Sequence, residues 1–166
     1  VMKRMKKAVG GRTALYGLFT GPLTLASHLR GTELFLDMFD DPGYVGELLE
    51  FCGAAGVRMA ELYVEAGMDV IASVDPIVSQ ISPQAFGQFA AEPFRRQFAA
   101  IRAAGRASSL FVCGDATRNL EAMAATGPDE AKYRNDPFLQ YFAGLLYEMD
   151  GELNDAWINY REAERL

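Results

Sequence analysis

Three short runs constrain this chain more than anything else in it: Thr13-Ala-Leu-Tyr-Gly-Leu-Phe-Thr20, Asp69-Val-Ile-Ala-Ser-Val74 and Ser108-Ser-Leu-Phe-Val112. Each is apolar on both faces and bounded by turn residues, as a strand in a covered sheet must be. Helical patterns separate them. The order strand, helices, strand, helices, strand, helix implies parallel strands joined by right-handed helical crossovers. A doubly wound sheet and a (β/α) barrel both satisfy that order. No glycine-rich phosphate loop follows any of the strands, which lowers a nucleotide-binding reading.

The helical segments carry their own start and stop signals. Thr24 to Leu29 reads as a short helix ended by Gly31. Asp41 then supplies an N-cap, with Pro42 at the first helical position. Val45, Leu48, Leu49, Cys52, Ala55, Met59, Leu62 and Ala66 recur at three- and four-residue steps and make one apolar face, which Gly67 ends. Ser82-Pro83 repeats the cap-then-proline start. Phe86, Phe89 and Ala90, and after Pro93 also Phe94, Phe98 and Ile101, share a face that runs to Gly105. Asp115 or Thr117 caps the next helix, which carries Leu120 and Met123.

The net charge of −6 argues against a nucleic-acid partner, which needs a cationic surface. The basic start (Lys3, Arg4, Lys6, Lys7) reads as a solvated tail over residues 1–12. No apolar run approaches the ~20 residues of a membrane span. Cys52 and Cys113 suggest no disulfide framework, and a reducing, cytoplasmic setting is expected. The chain begins with Val and is expected to be a piece of a longer product. Its character changes near Gly127-Pro128. Residues 128–136 read as a linker, and from Pro137 two helices are expected, Phe138 to Met149 and Glu152 to Glu164.

Over about residues 13–127, GLFTGPLTLASHLRG (Gly17 to Gly31), the DDPGYV helix start, EAGMDVI (Glu65 to Ile71), the ISP of Ile81 to Pro83 and a strand ending in CGD appear in order. Together they resemble the uroporphyrinogen decarboxylase superfamily, which also contains corrinoid-dependent methyltransferases. The resemblance implies a (β/α)8 TIM barrel with its active site at the C-terminal ends of the strands. Such a barrel takes about 250 residues, so three strands make a partial barrel. It also implies decarboxylation of a tetrapyrrole carboxylate or methyl transfer from a methylated corrinoid, by a chain that alone is expected to be inactive. Open barrel edges would favour self-association. A second resemblance, over about residues 137–166, is to one tetratricopeptide-like helical repeat: Gly144, Tyr147, Gly151, Ala156, Tyr160 and Ala163 stand at its spacings. This makes a helical interaction module, or a fusion product with no catalytic role, the alternative function.

The resemblance singles out a few residues. In the methyltransferase branch the third strand ends in His-x-Cys-Gly, whose His and Cys bind zinc. Here Cys113 holds the cysteine position and Phe111 replaces the histidine, so zinc is in doubt and the plain reading of Cys113 is a small buried residue. His28, the only histidine, falls near a substrate-contacting tyrosine of the decarboxylase branch. It can donate to a substrate carboxylate or move a proton; the plain reading is an ordinary histidine on a half-buried helix. Asp75 ends the second strand and is expected as an acid–base carboxylate, or as the first half of an Asp-Pro turn. The decarboxylase pattern has a site serine next, where this chain has Pro76. Asp115 and Arg118 can contact an anionic substrate, or serve as a helix cap and a surface cation.

Overall fold

In the computed structural model, which describes residues 1–129, the three expected strands form one parallel sheet. They are β1 (Tyr16–Thr20), β2 (Val70–Val74) and β3 (Ala107–Phe111), in the order β1-β2-β3. Tyr16 pairs with Val70 and Thr20 with Val74; Val70 pairs with Ala107 and Val74 with Phe111. Each crossover therefore moves one strand in the same direction and ends in register.

The two faces of this sheet differ. Gly17 and Phe19 point at α4 (Pro42–Glu65): a Cβ on Gly17 would stand 2.6 Å from the Tyr63 ring, and one on Gly56 would stand 3.2 Å from Phe19. By register Ile71, Ser73, Ser108 and Leu110 share that face, and all four are buried. On the other face Leu18 is 55% exposed, Thr20 is exposed, and Val70, Val74 and Phe111 are half-buried. A doubly wound sheet is covered on both sides. Among the described residues this one is covered on one, as in a barrel wall whose inner face is open.

The covering layer is a helix pair. α4 packs along α6 (Ala91–Ala103) at close range, because α4 presents Gly53 and Gly56 where α6 presents Pro93 and Gln97. Under it lie Phe86, Phe94 and Phe98, fully buried, with successive ring centroids 5.8 and 5.9 Å apart. The helical run that carries them starts at α5 (Pro83–Ala85), where the Ser82 hydroxyl accepts from the Ala85 N–H at 3.1 Å. It widens into a π-turn over Phe86–Ala90 before α6. Pro93 explains the widening: it lacks an N–H, and its ring would clash with the carbonyl four residues back. Asp41 caps α4 as expected, accepting from the Tyr44 N–H at 3.0 Å.

Two elements differ from the sequence reading. Residues 2–9, expected as a solvated tail, form α1 (Met2–Val9); Lys6 ties it down through an ion pair to Asp69 at 2.6 Å. After α2 (Pro22–Arg30) comes α3 (Glu33–Asp40), which was not expected. A 3-10 turn (Pro76–Gln80) follows β2; another (Thr117–Asn119) leads into α7 (Leu120–Ala124). The expected helices Phe138 to Met149 and Glu152 to Glu164, and the tetratricopeptide-like pairing, lie outside the described residues.

Candidate active site at the strand ends

Asp75 leaves the C-terminal end of β2 and turns inward. Its Oδ2 accepts from the Leu23 N–H at 2.9 Å; its Oδ1 accepts from the Thr24 N–H at 3.0 Å and the Thr24 hydroxyl at 2.6 Å. The carboxyl group thus caps α2 from another strand. The Gly21 N–H donates to the Val74 carbonyl at 2.7 Å, and a Cβ on Gly21 would stand 2.5 Å from Asp75. Only glycine fits this corner. Asp75 is fully buried, and burial pushes its carboxyl group up to about 7, although the Thr24 hydroxyl and the Leu23, Thr24 and Ile77 N–H groups pull the other way.

The ends of β2 and β3 are stitched together as well. Asn119, buried, donates through Nδ2 to the Val78 carbonyl at 2.6 Å and to the Ile81 carbonyl at 3.0 Å. Arg118 Nη2 donates to the Ser79 carbonyl at 3.2 Å. Gly114, at φ +102, passes over Ser79, where a Cβ would come within 3.0 Å of its hydroxyl. Asp115 accepts from the Thr117 N–H at 3.0 Å, a local turn bond; the helix cap expected of Asp115 or Thr117 is not formed, since the residue before the 3-10 turn is Ala116 and the one before α7 is Asn119, neither with a side-chain cap. Its side-chain and backbone bonds to Thr117 hold its carboxyl below the usual range.

Asp75, Cys113, Asp115 and Arg118 therefore all stand at the C-terminal strand ends. His28 does not join them. It is exposed in the last turn of α2, about 9 Å along the helix from the turn that Asp75 caps. The plain reading of Cys113 also changes. Cys113 is exposed rather than buried, because β3 ends at Phe111 and the chain has already turned outward. His28 is the exposed residue of a helix that buries Pro22, Leu23 and Ala26, as its plain reading has it. Sequence reasoning missed Thr24, Ser79 and Asn119. Asn119 looks like one more helix-start residue, and nothing local announces that its side chain reaches back to the turn after β2.

Zinc does not fit this corner. Phe111 offers no donor, Asp115 is engaged by Thr117, and no group of three His, Cys, Asp or Glu residues among the described residues is placed to hold a metal ion. A cleft of about 240 Å³, lined by Ala60, Glu61, Val64, Glu65, Ala100, Ile101 and Ala104, opens between α4 and α6 and includes none of the expected site residues.

Comparison with known proteins agrees with this geometry. The family model of uroporphyrinogen decarboxylase (URO-D) matches residues 1–136, so the match includes α1. Methylcobamide:CoM methyltransferase MtbA of Methanosarcina mazei is 30% identical over 128 residues, which are 76% of this chain and 38% of the relative. Methylcobamide:CoM methyltransferase MtaA of Methanosarcina barkeri is 30% identical over 135 residues, 76% of this chain and 37% of the relative. The solved structure of a methyltransferase from Methanosarcina mazei is similar at a TM-score of 0.71 and 27% identity, over 77% of this chain and 38% of that one. The chain thus spans less than two-fifths of the length of these relatives, and within that span it belongs to the uroporphyrinogen decarboxylase family.

Proposed function

We propose that residues 13–127 supply three neighbouring strand ends of a (β/α)8 barrel whose ligand is a tetrapyrrole-type macrocycle, in first place a methylated corrinoid. One observation carries this reading. Among the described residues helices cover one face of the sheet; on the other, Ala72 is buried at the centre, Leu18 and Thr20 are exposed and Val74 and Phe111 are half-buried, and this face runs up to the stitched mouth at Asp75 and Arg118. Ligands of such barrels bind at the C-terminal strand ends. The curated relatives, named for methylcobamide, support a corrinoid over a porphyrinogen. Pro76 in the serine position weighs the same way against decarboxylation.

In this reading Arg118 meets an anionic edge of the ligand and Asp115 holds the loop that presents it. Asp75 and His28 are the proton-transfer candidates: burial poises Asp75 near neutrality, and His28 is free to reach solvent. Thiol activation by zinc forms no part of the proposal, since among the described residues no group of three donors is placed for it. The lack of a nucleic-acid partner, supported by the net charge of −6, and a cytoplasmic location, supported by the unpaired Cys52 and Cys113, belong to the same proposal. Among the described residues no helix is long and apolar enough to cross a membrane. A second reading, an interaction module at residues 137–166, rests on the repeat-like spacing of Gly144, Tyr147, Gly151, Ala156, Tyr160 and Ala163.

Absorbance titration of the full chain with methylcobalamin, and separately with uroporphyrinogen, tests the proposal. Saturable binding of the corrinoid is expected, weakened about tenfold by Arg118→Ala through loss of a charge-assisted hydrogen bond. Binding of neither ligand, or of the porphyrinogen alone, would overturn it.

A further inference from the structure

We infer that Asn119 is a positioning residue of the strand-end mouth: from inside the protein it fixes the turn after β2, and through that turn it sets where Arg118 presents its guanidinium to the ligand. The inference rests on the reading that Arg118 meets an anionic edge of the ligand, and it names the residue that prepares Arg118 for that contact.

The segment from Val78 to Ile81 offers three carbonyls to two neighbouring side chains. Asn119 Nδ2 donates to the Val78 carbonyl at 2.6 Å and to the Ile81 carbonyl at 3.0 Å. Arg118 Nη2 donates at 3.2 Å to the Ser79 carbonyl, which lies between those two in the chain. Asn119 is 0% exposed, whereas Arg118 is exposed. One side chain thus holds the turn from within, and the residue before it takes hold of the same turn from the solvent side.

The other bonds of the turn are local or long. The Ser79 hydroxyl donates to the Pro76 carbonyl at 2.7 Å and the Val78 N–H to the Asp75 carbonyl at 3.2 Å, while the Ile77 N–H reaches the Thr24 hydroxyl only at 3.5 Å. Both bonds of Asn119 leave from its amide nitrogen, so a flipped amide would set its oxygen against two carbonyls. Its Oδ1 is buried and takes no hydrogen bond among the described residues. An apolar side chain would leave no such atom unbonded, so packing alone does not call for an amide here. What the amide adds is a fixed register between the turn and residue 118.

That register matters for a guanidinium. Its N–H donors form a planar fork, and one bond to a fixed carbonyl leaves the others to take a carboxylate or phosphate in a set orientation. Asp115, bonded to the Thr117 N–H at 3.0 Å, places a carboxylate near Arg118 as well. Pre-organisation of this kind raises affinity, because binding no longer has to order the side chain.

Two measurements on the full chain test this. The first needs no ligand: NMR relaxation of the Arg118 Nε–H group, identified by its loss in Arg118→Lys. The group should be ordered in the unsubstituted chain and as mobile as a free surface arginine in Asn119→Ala. Ile101→Val, a core change in α6, controls for general loosening and should leave it ordered. The second is methylcobalamin titration of the cycle made by Asn119→Ala and Arg118→Ala. Asn119→Ala should weaken binding by up to about tenfold when Arg118 is present and by less than about twofold when it is absent, whereas a merely structural role would weaken both alike. An Arg118 already mobile in the unsubstituted chain, one that Asn119→Ala leaves ordered, one that Ile101→Val loosens as much, or equal losses in both backgrounds would overturn the proposal. Asn119→Ser, a milder change that should also free Arg118, decides if Asn119→Ala fails to fold. A chain that binds no methylcobalamin would overturn the ligand reading, and the first measurement would still decide whether Asn119 positions Arg118.

Discussion

A carboxyl group closed into a protein without a cation changes how the chain answers to pH. The folded state keeps the proton of Asp75 up to about 7, whereas the unfolded chain releases it near 3.8. Its contribution to stability is complete below the lower value and is lost as pH rises through the upper one. Stability should therefore fall by about 1 kcal/mol per pH unit across that window. Asp37, Asp69 and Asp115 are held low, so their contributions vanish only in stronger acid and leave the window to Asp75. Urea midpoints from pH 4.5 to 7.5 check this, with Asp75→Asn expected to remove the slope. The sequence shows an Asp-Pro pair at a strand end, and that much was legible. The partners were not, because Leu23 and Thr24 lie more than 50 residues away and only the sheet register brings them near.

Elements are held by close approach more than by propensity. A Cβ on Gly56 would stand 2.0 Å from Gln97 Nε2, and Gln97 is fully buried with no room to swing aside. Gly56→Ala should cost about 1–3 kcal/mol by overpacking. Phe94→Ala removes the middle ring of the aromatic stack and should cost about 3–5 kcal/mol. Phe39→Ser, on a residue 87% exposed, should stay within about 0.5 kcal/mol of the parent. Chemical denaturation of the three variants measures all of these. That same exposure explains why α3 was not legible. Its apolar residues point in several directions, with Leu34 buried and Leu36 and Phe39 in solvent, and no side chain caps its start. α1 hid for another reason: its four cations and turn-forming Gly10-Gly11 resemble a tail, and the Lys6–Asp69 contact that anchors it is not local. α4, with Asp41, Pro42 and its regular apolar face, carries every signal locally and was read nearly to its ends.

At the scale of the whole molecule, the order of apolar strands and periodic helices made the parallel sheet legible, whereas which face is covered required the structure. The sheet has two unpaired edges among the described residues. One is partly blunted: β1 bonds β2 through its odd-numbered residues, as Leu15 and Gly21 show, so Leu18 faces outward, where its carbonyl accepts from the Tyr63 hydroxyl at 2.7 Å. The rest of that edge, the β3 edge and the open face are what five further strands would cover in a closed barrel. The chain by itself should therefore show no decarboxylase or methyl-transfer turnover. Turnover that is lost in His28→Ala or Asp75→Ala would reverse this and make those residues catalytic. The central claim, a barrel wall with its inner face open, is tested most directly by light scattering on a size-exclusion column at low protein concentration, with hydrophobic-dye binding measured on the same fractions. The account predicts self-association, or a monomer that binds dye until complementary strands are supplied. A cooperatively unfolding monomer that binds no dye would show that three strands close their own core, and would contradict it.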